Sequence, residues 1–90
     1  METKDELAST LETLEDEYRF WVIEAIQMGR GIETMEEELT HRDSELGADR
    51  AADLRRRLFR VREKHEEIEE KIHSIRQRLD ELRERLDRMP

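Results

Sequence analysis

Apolar residues recur along the first half of the chain at alternating intervals of four and three residues. This spacing places them on one face of a long α-helix and is typical of a coiled-coil seam. The seam positions are Leu7, Leu11, Leu14, Tyr18, Trp21, Ala25, Met28, Ile32, Met35, Leu39, Arg42 and Leu46. Apart from Arg42 they are all apolar, so the pattern predicts an amphipathic helix over residues 3–46.

A second array with the same spacing occupies the other half of the chain. Its seam positions are Ala51, Leu54, Leu58, Val61, His65, Ile68, Ile72, Ile75, Leu79, Leu82, Leu86 and Met89. His65 is the polar exception, and this position favours a core histidine that sets the register over a ligand or a pH sensor. The array predicts a second helix over residues 49–88.

The two arrays do not fit one continuous helix, because the register jumps by five residues between them, a shift unlike the usual coiled-coil insertions. Gly47 suits a left-handed cap after the first helix, and Asp49 suits an N-cap before the second. A turn at residues 47–48 is short enough to join antiparallel neighbours. The sequence therefore predicts an all-α fold, in which residues 1–90 form a single domain: an antiparallel coiled-coil hairpin.

Gly29 and Gly31 weaken the middle of the first helix, since each glycine costs about 1 kcal/mol relative to alanine. The seam nevertheless continues unshifted from Met28 to Ile32. We expect a continuous helix here, and the alternative is a break that would give a three-helix bundle. At the amino end, Thr3 precedes a glutamate by three residues, which predicts the N-cap of the first helix.

The charges beside the two seams indicate that the helices pair with each other. The g positions are basic in the second helix and mostly acidic in the first, and in an antiparallel pair g faces g and e faces e. The predicted ion pairs are Glu45–Arg50, Glu38–Arg57, Glu24–Lys71 and Glu17–Arg78. The e positions are Ala8, Glu15, Val22, Gly29, Glu36 and Asp43 in the first helix, and Arg55, Arg62, Glu69, Arg76 and Arg83 in the second. The short turn sets the register and predicts layers such as Leu11–Leu82, Leu14–Leu79, Trp21–Ile72 and Met28–His65.

The outer side of the first helix is apolar where a solvated helix would be polar. Phe20, Ile23 and Ile26 occupy outward positions. Together with the seam residues on the inner side, they make the helix apolar nearly all round over residues 18–28. A helix that is apolar on every side is buried on every side, and one partner helix covers only one of them. We therefore expect an interface with a second copy of the hairpin, which would give a homodimeric four-helix bundle. The expected interface residues are Tyr18, Phe20, Trp21, Val22, Ile23, Ile26 and Arg30. The alternative is a modest exposed patch.

Composition narrows the function. Charged residues make up 47% of the 90 residues, the net charge is −8 and cysteine is absent. The acidic balance argues against nucleic acid and anionic membranes as partners, and the longest apolar run, Phe20 to Ile23, is too short to span a bilayer. The polar, acidic start does not resemble a signal peptide, so a cytoplasmic protein is expected. Glu70 and His73 have the spacing of a bundle metal site but lie on the outer face, so we interpret them as surface residues.

No nucleophile–base arrangement stands out, and we expect no catalytic residues, no metal and no cofactor. The favoured interpretation is a non-enzymatic coiled-coil scaffold that self-associates through the outer face of its first helix and recruits other proteins. The alternative is a small regulatory or secreted hairpin that binds one larger protein assembly through its acidic tip, near Asp43, Glu45, Asp49 and Asp53.

Overall fold

Two long helices account for nearly all of the described chain. The computed structural model describes residues 3–41 and 46–90 and contains α1 (Lys4–His41) and α2 (Ala48–Asp87). The helices pack against each other as an antiparallel pair, and the described residues include no strand. The molecule is a rod of 66 × 16 × 15 Å. The predicted all-α helical hairpin is confirmed.

The core of the rod coincides with the two predicted seams. Every seam position within the described residues is buried or half-buried. The buried residues are Leu7, Ile32, Ala51, Leu58, Ile68, Ile75, Leu79 and Leu82. Most of them belong to α2, whereas the α1 seam from Leu11 to Met28 is half-buried. A two-helix rod covers each seam from one side alone, so much of the apolar surface of α1 remains near solvent.

The beginning and the middle of α1 agree with the sequence. The backbone N–H of Glu6 donates a hydrogen bond to Thr3 Oγ1 at 3.2 Å, which satisfies one of the unpaired donors at the helix start. The helix then runs without interruption through Gly29 and Gly31. Continuity is favoured because the flanking seam stays in register, with Ile32 buried against α2. The three-helix alternative is therefore wrong.

The entry into α2 differs from the prediction. Gly47 has φ −62° and ψ 154°, an extended conformation, and serves as the N-cap of α2 without a side-chain hydrogen bond. Asp49 lies in the first turn, where its charge complements the positive end of the helix dipole. The expected left-handed cap at Gly47 and the expected N-cap at Asp49 are both wrong, because α2 begins at Ala48, one residue early.

Part of the predicted turn region lies outside the described residues. This applies to Arg42 of the first seam, to Asp43 and Glu45 of the acidic tip, and to the pair predicted between Glu45 and Arg50. Leu46, the last position of the first seam, is half-buried and lies outside both helices.

Two ion pairs join e positions across the helices, as expected where e faces e in an antiparallel pair. Glu36 and Arg62 approach to 3.1 Å, and Glu15 and Arg83 to 3.5 Å. A Cβ atom placed on Gly29 would lie 3.8 Å from Nε2 of His65, the seam residue predicted to face this stretch. These contacts hold α1 and α2 in antiparallel alignment.

The g flank is arranged differently from the prediction. Arg57 forms its ion pair with Asp53, one turn earlier in α2, at 3.5 Å. The Lys71 ammonium lies 4.2 Å from the centre of the Trp21 ring. Among the described residues, none of the predicted g-flank pairs forms an ion pair within 4 Å, although Glu38 and Arg57 line the same surface cavity. A nearby carboxylate on the same helix and an aromatic face compete with the cross-helix glutamates.

Candidate protein-interaction site

Phe20, Ile23 and Ile26 form a contiguous apolar line on α1, which we call the outer stripe. Their exposed fractions are 55%, 54% and 51%. Their spacing of three residues keeps them on one side of the helix, opposite the seam that faces α2. Three of the four large apolar residues that are exposed in the described chain therefore lie together, and the fourth, Phe59, is isolated on α2.

Aromatic contacts support one end of the outer stripe. The ring of Phe20 meets the half-buried ring of Trp21 edge-on, with centroids 5.0 Å apart. The opposite side of this small cluster is fixed by Lys71, whose ammonium group contacts the Trp21 ring. Edge-to-face aromatic pairs and cation–π contacts each contribute about 0.5–1.5 kcal/mol, which favours a defined position for the Phe20 ring.

The remaining predicted interface residues are divided between the seam and the surface. Tyr18 and Val22 are half-buried between the helices, as Trp21 is, whereas Arg30 is exposed. The structure thus brings Phe20, Ile23 and Ile26 together as an outward surface and places Tyr18, Trp21 and Val22 where α2 already covers part of each side chain. Seam position accounts for this division, because Tyr18 and Trp21 belong to the first array.

A groove of about 500 Å³ lies beside the outer stripe, between α1 and α2. Its apolar lining is Val22, Ala25, Ile26 and Ile72, and its polar lining is His65, Glu69, His73 and Arg76. Ala25 and Gly29 follow each other by one turn of α1, so small side chains leave this space open. Sequence reasoning missed the groove, although small residues at consecutive turns were the available signal.

Charged residues frame the outer stripe along α1. Arg19, on its amino side, pairs with Asp16 at 3.5 Å and with Glu15 at 3.9 Å. Arg30, on its carboxyl side, is exposed, and its guanidinium forms no ion pair within the described residues. The stripe is therefore an apolar surface with a charged residue beyond each end, which is the arrangement of a small interface core and its rim.

The residues considered for other chemistry stay apart. His65 Nδ1 lies 3.5 Å from a carboxylate oxygen of Glu69 on the same helix, and Glu70 and His73 are exposed. Within residues 3–41 and 46–90, no three histidine or acidic side chains converge on a point that would hold a metal ion. At the tip, Asp49 and Asp53 are exposed. Neither α1 nor α2 contains a stretch apolar and long enough to cross a bilayer.

These features define a two-helix antiparallel coiled-coil hairpin with an unpartnered apolar surface on one helix. Comparison of the chain with protein-family models, with curated proteins and with solved structures gives no match.

Proposed function

We propose that this hairpin is a non-enzymatic protein-interaction module that self-associates through the outer stripe. The observation that carries the proposal is the exposure of Phe20, Ile23 and Ile26, each more than half open to solvent on the same side of α1. Full burial of a large apolar side chain stabilises a protein by roughly 1.5–3 kcal/mol. Because these three side chains are only about half covered in the hairpin, about half of this free energy is gained when the hairpin folds. Association recovers the remainder.

A second copy of the hairpin suits this surface better than an unrelated partner. Phe20 and Ile26 lie three residues on either side of Ile23, so a two-fold axis at Ile23 sets each apolar stretch against its equivalent. The stripe also lies at the midpoint of α1 (Lys4–His41), so pairing there overlaps the helices along nearly their full length. Two hairpins joined in this way make a four-helix assembly with the α1 helices at its centre.

The test removes the stripe and leaves the seam intact. Phe20→Glu combined with Ile23→Lys should convert a dimer into monomers in sedimentation equilibrium, because both copies lose their apolar contacts at once. Helicity by circular dichroism should persist, since neither residue belongs to the seam. The matched control is Phe59→Glu, which replaces a similarly exposed phenylalanine on α2 and should leave the dimer unchanged.

Two outcomes would contradict the proposal. A wild-type chain that sediments as a monomer across micromolar to millimolar concentrations would remove self-association, and the acidic-tip hairpin would become the better interpretation. A dimer that persists in the doubly substituted chain, with helicity retained, would place the interface elsewhere on the molecule.

A further inference from the structure

Two charged residues in line with Ile23, the centre of the outer stripe, have opposite signs and lie at equal distances from it. Asp16 lies seven residues before Ile23, and Arg30 lies seven residues after it. Seven residues are two helical turns, so all three residues share one line along the outer face of α1. At 1.5 Å per residue, each charge is about 10 Å from Ile23 along the helix axis.

Because of this spacing, the two charges favour one of the two orientations, parallel or antiparallel, in which a pair of α1 helices can associate. In an antiparallel pair centred on Ile23, Asp16 of each copy lies level with Arg30 of the second copy, which gives two opposite-charge contacts. In a parallel pair, Asp16 faces Asp16 and Arg30 faces Arg30, and both contacts are repulsive. Glu12 and Glu33 come near like charges in either orientation and do not distinguish them.

We propose that two copies of this chain pair α1 against α1 in antiparallel orientation about Ile23, with Asp16 of each copy bound to Arg30 of the second. The inference rests on the proposed self-association and specifies its geometry. Arg30 is available for this contact, since its guanidinium forms no ion pair among the described residues. Asp16 is already 3.5 Å from Arg19 and would then accept from two guanidinium groups.

The arrangement has a consequence for the whole assembly. Because the outer stripe lies opposite the seam, each α1 sits between its own α2 and the α1 of the second copy. The helices therefore follow the order α2, α1, α1, α2 in a flat layer rather than a square bundle. The two turns at Gly47 point to opposite ends, which gives a symmetric rod with an identical tip at each end.

A distance measurement tests the orientation directly. The chain has no cysteine, so Glu37→Cys, at an exposed position on the same face, gives a single site for a nitroxide label. Fourteen residues separate this site from Ile23, so an antiparallel pair places the two labels about 40 Å apart by electron–electron dipolar spectroscopy. A parallel pair places them on adjacent helices, with axes about 10 Å apart and labels less than about 25 Å apart.

Charge exchange tests the contact itself. Asp16→Arg should weaken dimerisation about tenfold or more, because the introduced guanidinium would face Arg30 of the second copy twice in each dimer. Adding Arg30→Asp in the same chain should restore the dissociation constant to near its original value. Glu81→Arg makes the same change of charge on the exposed back of α2 and should leave the dissociation constant unchanged.

The outcomes separate this inference from the proposed function. A dimer with labels about 40 Å apart and a restored charge exchange supports both. A dimer with short label distances, or an exchanged variant as weak as Asp16→Arg alone, overturns the antiparallel pairing and leaves self-association standing. A monomeric chain overturns both proposals.

Discussion

The two glycines of α1 lower the predicted stability of the helix, and the structure shows whether its geometry requires them. Both lie inside a continuous helix, and neither has a positive φ. Gly31 is exposed, and a Cβ atom built there meets nothing within 4 Å. At Gly29 the same atom would make ordinary van der Waals contact with His65, at 3.8 Å. Neither glycine is therefore required by the geometry of the hairpin.

Gly31→Ala should raise the free energy of unfolding by about 1 kcal/mol, the helix-propensity difference between the two residues. The measurement is urea unfolding followed by circular dichroism at a fixed protein concentration. Gly29→Ala is the matched comparison and should stabilise by a similar amount or slightly less, because its methyl group must fit against His65. A destabilised Gly31→Ala chain would mean that α1 bends at this residue.

At the residue scale, sequence predicts a local structure correctly where a side chain determines it, and does not where the backbone conformation determines it. Thr3 was identifiable as an N-cap because its hydroxyl must accept from the first turn. At Gly47 the residue type permits both a left-handed and an extended conformation. The choice depends on how the two helices meet, and Gly47 takes the extended one.

At the scale of the helices, the seams were predictable in full within the described residues, whereas the observed cross-helix ion pairs lie on the e flank, for which no individual pair was predicted. Both flanks carry acidic residues on α1 and basic residues on α2, so sequence alone treats them alike. In the structure the e flank forms cross-helix ion pairs, and the g flank is engaged by contacts that a heptad diagram omits. The antiparallel direction of the two helices is recovered from sequence, but the identity of the paired charged residues is not.

Double-mutant cycles should separate the two flanks. The cycle of Glu36→Ala and Arg62→Ala should give a coupling energy of about 0.2–1 kcal/mol in urea unfolding, as expected for an exposed ion pair. The matched cycle of Glu38→Ala and Arg57→Ala should give a coupling near zero, because Arg57 pairs with Asp53 instead. Equal coupling in both cycles would show that the g flank also pairs across the helices in solution.

At the scale of the whole molecule, the hairpin has few ways to bury apolar surface. It is a rod only 15–16 Å wide, and within the described residues most of its buried side chains belong to α2. The outer stripe was predictable because an outward apolar run on a long helix is visible in the heptad positions. The small residues Ala25 and Gly29 were a sequence signal for the groove beside it, but the size of the groove also depends on where Ile72 and His65 of α2 lie.

If association completes the burial of α1, the thermal stability of the chain depends on its concentration. A ligand that binds the folded state alone stabilises it by mass action, and in a self-associating protein the second copy is that ligand. Hundredfold dilution within the concentration range in which the dimer predominates should lower the Tm by about 5–10 °C, since this dilution corresponds to about 2.7 kcal/mol for a pair of chains of this size.

The variant with Phe20→Glu and Ile23→Lys supplies the control for this measurement. Its Tm should be the same at every concentration and should equal or fall below that of the most dilute wild-type sample, because only the intramolecular seam remains to stabilise it. Differential scanning calorimetry over this concentration range gives both values. A wild-type Tm that stays constant while sedimentation detects a dimer would show that the dimer dissociates below the Tm and that the hairpin unfolds as a monomer. The outer stripe would then contribute to assembly at low temperature without affecting the Tm.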